Sequence, residues 1–389
     1  MSPCWVRRWC WPAISSGGWC GHPTRSRPAR SWAFSVPACS WRSSSAGGRA
    51  LVDLGAPHGR TGTARSTTPP RRSDRPERLT LFALAALAIL ACVLFLTLGA
   101  RGNWSFVLPF RGAKLAAMLL VAHAIATSTV VFQTIAGNRI LTPSIMGFDA
   151  LYRLIQTLLV FLTGAATTAA IAPTVLFAGE LLVMVLFACG LYGTLIGAGT
   201  RDIHRLLLVG VVLGILFHST ASLMQRLIDP NDFVVLQDRL FASFNTIETG
   251  LLGIAGVLIG GASLVLWRMT ATLDVLSLGR DRAIALGIAH RRAVMLVLAT
   301  VAVLVSVSTA LVGPVTFFGL LVASLAVSLV GARSHRLTMT AASLIAVICL
   351  VGGQTLLEHV LHFDTALGIL VEFAGGLVFL ALILKKGIA

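Results

Sequence analysis

Residues 112–136 read GAKLAAMLLVAHAIATSTVVFQTIA and are followed at 137–148 by GNRILTPSIMGF. The first stretch carries no ionisable side chain except Lys114 and His123. It is longer than the ~20 residues a helix needs to cross ~30 Å of hydrocarbon. The second is polar, is punctuated by Gly137, Pro143 and Gly147, and cannot prolong that helix. The same alternation of apolar run and short break recurs along the chain. Apolar spans can be placed at 80–99, 112–136, 149–168, 174–196, 203–223, 249–268, 293–312, 316–330, 337–358 and 366–385. This predicts an all-α polytopic membrane protein with about ten transmembrane helices over residues 79–389. The eighth span is short, and the segment opening at Gly313-Pro314 reads as broken.

Composition agrees with that reading. The chain of 389 residues is 56% hydrophobic and 12% charged with a mean hydropathy of +0.86, against roughly 25% charged in soluble domains. A net charge of +16 would point a soluble protein toward nucleic acid, but here 13 Arg and 3 acidic residues fall within residues 1–78. That stretch also holds six of the eight Trp and four of the seven Cys, yet has no apolar core of a secretory signal and no helical or strand period. It is expected to be a basic extension outside the fold, either an over-extended start or a disordered cytoplasmic tail. A zinc site from Cys4, Cys10, Cys20 and Cys39 lacks paired ligand spacings, and no nucleic-acid partner and no metal are expected. Cys92, Cys189 and Cys349 sit singly in apolar runs and read as small hydrophobes.

Positive charge orients the spans. One set of alternate loops, with the C-terminus, carries 16 Lys and Arg; the opposite set carries five, Arg101, Arg111, Lys114, Arg226 and Arg239. Retained positive charge marks the cytoplasmic side, so both termini are expected inside. The longest outside loop, 224–248, is expected to form a short surface helix after Pro230. Glycines four apart, Gly193/Gly197, Gly210/Gly214 and Gly256/Gly260, predict close helix–helix approach.

No phosphate-binding G-x-x-x-x-G-K-[ST] loop occurs, so ATP-driven work would need another chain. Two Pro/Gly-interrupted segments, 137–148 and VGPVTFFGLL at 312–321, hold similar places in the two halves. In transporters such pairs point to the substrate path, because broken helices expose backbone groups to a cavity. The inside segment 268–292, RMTATLDVLSLGRDRAIALGIAHRR, is too polar to span. It reads either as a helix–Gly279–helix knob that docks into a partner or as an amphipathic segment on the membrane surface. Among ionisable residues inside spans, Asp149 and Arg153 are spaced for an intrahelical ion pair. His123, Glu180, His218 and Glu372 either line the path or meet another helix through a hydrogen bond. Glu358, His359, His362 and Asp364 read as polar residues of a short outer loop.

Residues 107–148 carry a specific resemblance. Leu108, Pro109, Arg111, Gln133, Asn138, Leu141, Pro143 and Gly147 resemble the Leu-Pro-Arg, Gln and Asn-x-Leu-x-x-Pro-x-x-x-Gly pattern of the FecCD-type permeases of iron-siderophore and cobalamin ABC importers. Leu276, Ser277, Leu278, Gly279, Ala283, Leu286 and Gly287 resemble that family's ATPase-coupling knob. Gly313, Pro314, Phe317, Gly319 and Leu320 resemble its Gly-x-Ile-x-Phe-x-Gly-Leu segment. The resemblance covers residues 80–389 and implies a bundle like that of the vitamin B12 importer, of the type II class. It implies a non-catalytic permease in the bacterial cytoplasmic membrane that moves ferric siderophores inward. Its implied partners are ATP-binding cassette ATPase subunits carrying ATP and Mg²⁺, a second permease subunit and a periplasmic or lipid-anchored siderophore-binding protein. Asn138, Pro143, Gly147, Gly313, Pro314, Phe317 and Gly319 are then the expected path residues. Val107 stands where many relatives have Arg, leaving Arg111 and Lys114 to dock the binding protein, and Ala323-Ser324 replaces Pro-His, as in a catecholate-type subgroup. The alternatives from other classes are an ion-coupled secondary transporter, which needs titrating buried carboxylates, and an intramembrane enzyme, for which neither HExxH nor G-x-S-x-G is present.

Overall fold

The computed structural model describes residues 75–98, 104–197, 203–244, 249–331 and 334–359, together with 368, 376 and 377. Residues 1–74 of the extension expected at 1–78, Glu372 and nearly all of the tenth expected span lie outside the described residues, while residues 75–78 of that extension open the first helix. The described residues are helical throughout their ordered elements. Long apolar helices are α1 (Arg75–Thr97), α2 (Trp104–Ala136), α5 (Pro173–Gly197), α6 (Ile203–Gln225), α8 (Thr249–Arg268), α11 (His290–Val312) and α13 (His335–His359). These seven are long and apolar enough to cross a membrane. Shorter elements join them: α3 (Phe148–Thr163), α4 (Ala165–Ala170), α7 (Pro230–Leu240), α9 (Thr270–Leu276), α10 (Arg280–Ala285) and α12 (Phe318–Val330).

Helix burial orders the bundle. In α11 72% and in α2 67% of the apolar window is covered by other helices, against 11% in α1. α2 packs between α11 and α13, α11 also meets α5 and α8, and α1 and α12 lie on α13. Apolar residues that remain exposed on α1, α5, α6 and α8, such as Phe82, Leu186, Ile215 and Val257, need no polar counterpart where lipid is the solvent.

Other features differ from expectation as well. α2 begins at Trp104 and incorporates Pro109, which falls within the first two turns, where its missing N–H removes only one backbone bond. The third span divides at Gly164 (φ +78), leaving α3 and the short α4. α7 is not a purely surface helix: Asp229 caps it by accepting from Asn231 N at 2.9 Å, Pro230 occupies its first turn, and Leu236 and Leu240 are buried.

Candidate translocation path and coupling surface

The first interrupted segment re-enters the bundle. Gln133 Nε2 donates to Arg139 O at 2.7 Å and Asn138 Oδ1 accepts from Ile140 N at 3.0 Å, fixing the turn below α2. The chain then forms a 3₁₀ turn, Pro143–Met146, and reverses at Gly147 with φ +92. A Cβ on Gly147 would lie 3.0 Å from Gly214 Cα and 3.2 Å from Gly210 O. Those two glycines sit ~10 and ~16 Å along α6 from its first residue, so the turn lies at mid-span depth. Gly210/Gly214 therefore receives a loop and not a second helix. Gly193 and Gly260 meet nothing within 4 Å inside this chain, and a Cβ on Gly256 would make only ordinary contact, 3.8 Å from Leu120 Cδ1.

The second interrupted segment meets the first. Gly313 (φ +105) ends α11 against the backbone of the segment after α7: a Cβ there would be 3.1 Å from Ala242 Cα, and Ser243 N donates to Val312 O at 3.0 Å. Thr316 Oγ1 donates to Asp149 Oδ2 at 2.8 Å, and a Cβ on Gly319 would overlap Thr129 Oγ1. A narrow cleft is lined by Ser128, Thr129, Pro143, Ser144, Thr309 and Gly313, with both segments contributing. Pro143, Gly147, Gly313, Pro314 and Gly319 are buried within the protomer, whereas Asn138 and Phe317 are exposed.

Other ionisable groups find helix partners. Asp149 accepts from Thr316, where the start of α3 meets the chain that leads into α12. His123 joins α2 to α13 through Ser343 Oγ and to α8 through Ser263 Oγ, both at 3.0 Å. Glu180, 4% exposed, accepts from Gln156 Nε2 at 2.7 Å. His218 points to the exterior. Glu358 is not a loop residue: it ends α13 with its side chain 8% exposed, 4.0 Å from Arg111 and 3.9 Å from Lys114. Arg111 also donates to Phe95 O at 2.8 Å and to Leu98 O, capping the last carbonyls of α1. His362 and Asp364, expected beside Glu358, lie outside the described residues.

At the opposite end α9 and α10 form the expected knob. Gly279 (φ +97) makes the turn between them and Gly287 (φ +84) the turn that follows. Gly279 N donates to Leu276 O and Ile288 N to Ala283 O, both at 3.1 Å, closing the two turns. Leu273, Leu276 and Ala283 are buried and hold the knob together, while Leu278, Ile284 and Leu286 are exposed by 48%, 49% and 62%. Outward leucine and isoleucine beside Arg280 and Arg282 form a compact apolar and basic surface that suits a protein groove.

A model of the FecCD transport family matches residues 78–385, most of the chain. The chain belongs to the FecCD transport family. Within it, the chain is 46% identical to a petrobactin import system permease of Bacillus subtilis (strain 168) over 80% of this chain and 98% of that protein. It is 35% identical to a petrobactin import permease of Bacillus anthracis, over 71% of this chain and 78% of that protein. At 27% identity it also resembles the ferric enterobactin permease of Escherichia coli (strain K12), over 78% of this chain and 94% of that protein. Among solved structures, a metal-chelate-type ABC transporter in an inward-facing conformation superposes with a TM-score of 0.69 at 25% identity, covering 79% of this chain and 99% of that one.

For this FecCD chain, the structure brings the two family loop motifs together through Thr316 and Asp149, and Arg139 at the start of the first borders a cavity with Asp274 and Ser277 of the knob. Residues that sequence reasoning passed over do the joining. Thr134 and His335 lie in ordinary-looking stretches and Asp274 in the knob; their only sequence signal is a polar side chain at the end of an apolar span, next to a segment that must be held.

Proposed function

We propose that this chain is the permease subunit of a bacterial ABC importer that carries ferric siderophore complexes into the cytoplasm, with petrobactin-type chelates the first candidates. The observation that carries the substrate class is 46% identity to a petrobactin import permease across nearly its full length. The chain is multi-pass and performs no covalent chemistry. ATP and Mg²⁺ belong to ATPase subunits that grip the outward residues of the knob, Leu278, Gly279 and Leu286. A periplasmic or lipid-anchored binding protein delivers the chelate to the face carrying Arg111 and Lys114. Two permease subunits pair around the path, and both termini of this chain face the cytoplasm.

Transport by such an assembly is alternating access: nucleotide and chelate act by binding outward and inward states with different free energies. The re-entrant turn at Gly147 and the Gly313 turn supply two places where backbone, not a continuous helix, faces the interior. Uptake of radiolabelled ferric petrobactin by cells lacking this chain, restored by the chain with and without its ATPase, tests the reading. Restoration that requires the ATPase is expected. Uptake without it would favour the ion-coupled alternative, and no uptake from correctly inserted protein would reject the substrate class.

A further inference from the structure

The first turn of α13 is a clasp between the knob and α2. His335 N donates to Asp274 Oδ1 at 2.9 Å, and His335 Nδ1 approaches the same oxygen at 2.5 Å. A carboxylate only accepts, so Nδ1 carries the proton in that contact. The other ring nitrogen, Nε2, lies 2.7 Å from Thr134 Oγ1 in the last turn of α2. Beside it Arg336 Nε donates to Thr270 Oγ1 at 2.9 Å, so successive residues of α13 tie down both the first turn of α9 and its Asp274. Thr134 is adjacent to Gln133, which holds Arg139 O in the re-entrant segment. A route thus runs by hydrogen bonds from Asp274 in the knob through His335 to Thr134, and from there along the backbone to Gln133 and its bond to the re-entrant segment.

Packing gives this route mechanical weight. The route lines a mixed polar and apolar cavity of about 330 Å³, to which Thr134, Asp274, His335, Gln133, Arg139 and Val327 all contribute. The knob helix α9 also packs on α13, α2 and α8, and the short directed bonds add a fixed geometry to that packing. From Thr134 the motion has a stiff continuation, because α2 and α13 are also joined at His123–Ser343 and at Lys114–Glu358. The distance from Thr134 to Lys114 along the helix is ~30 Å.

We infer that Asp274 and His335 are positioning residues that carry displacement of the knob into the inner end of α2 and the re-entrant segment. The inference rests on the importer reading, and its test separates the two. The complete complex with its ATPase subunits and binding protein is reconstituted in proteoliposomes, and ATP hydrolysis and import of radiolabelled ferric petrobactin are measured in the same vesicles. Absence of ATP-dependent import by the native complex would reject the importer reading itself. With native import established, Asp274→Asn and His335→Gln should assemble and hydrolyse ATP at close to the native rate. Their import per ATP should fall by about tenfold, and the double variant should be no worse than either single one. Thr134→Val leaves the knob untouched and serves where the other variants assemble poorly; it should show the same loss per ATP. An unchanged ratio in Thr134→Val, or import and hydrolysis falling together in every assembled variant, would overturn the role.

Discussion

The hydroxyl of Thr316 donates to the carboxylate of Asp149 across 2.8 Å, joining the residue that follows the first interrupted segment to one inside the second. The two segments are more than 160 residues apart in sequence, and neither is a regular helix at this depth. A side-chain bond therefore does work that backbone hydrogen bonding does elsewhere in the bundle. Thr316→Val preserves shape and removes the donor. Losing a hydrogen bond to a carboxylate should lower stability by about 1.5–3 kcal/mol. The check is the thermal unfolding midpoint of the detergent-solubilised protein, with uptake measured in parallel; a midpoint equal to native would mean the bond contributes nothing.

Gly147 and Gly214 give a second, steric prediction. A Cβ on Gly214 would be 3.1 Å from Gly147 Cα, and one on Gly147 would be 3.0 Å from Gly214 Cα with an unfavourable positive φ added. Gly214→Ala should destabilise by about 1–3 kcal/mol through overpacking, and Gly147→Ala by more, since left-handed backbone costs a side chain a further ~1–2 kcal/mol. Gly193→Ala, whose Cβ meets nothing within 4 Å, is the control and should be neutral. Monodisperse yield and the unfolding midpoint read all three; equal behaviour of Gly214→Ala and Gly193→Ala would contradict the interlock.

Hydropathy made the spans legible because burial in lipid demands about twenty apolar residues wherever a helix crosses. The Gly164 break in the third span and the extension of α2 through Pro109 were hidden, because apolar composition continues across both. The knob was readable from Gly279 and Gly287, whose positive φ a turn requires. Side-chain partners were not. Asp149 accepts from Thr316, a tertiary neighbour, and hydropathy carries no information about which loops meet at mid-depth. Likewise Glu358 reads as a loop acid until the N-terminal end of α2 is seen beside it.

That cluster separates two roles for Arg111 and Lys114. Their side chains are 17% and 11% exposed and share Glu358. Truncating one member of a buried ion cluster strands the others, so Glu358→Ala should destabilise by about 3–5 kcal/mol. If the cations also dock the binding protein, Lys114→Gln, which leaves Arg111 to pair with Glu358, should weaken binding-protein affinity for the reconstituted permease by more than its loss of unfolding midpoint accounts for. Both quantities falling in proportion would assign Lys114 to internal packing alone.

The knob offers the sharpest contrast between surface and core. Leu278 is 48% exposed at the turn, whereas Leu276, two residues earlier, is 7% exposed and packs inside. An aspartate at 278 meets water in the isolated permease and adds no buried charge, so Leu278→Asp should insert and unfold like the native chain. In the assembly that aspartate would be forced into the partner's groove, where an unpaired charge is strongly disfavoured. ATPase association and uptake should then be lost together. Leu276→Asp places the charge inside the knob itself and should lower the unfolding midpoint even without a partner. Co-purification of the ATPase with each variant, alongside thermal unfolding of the permease alone, distinguishes the two. Native-level association of the Leu278→Asp protein would remove this face of the knob from the docking surface.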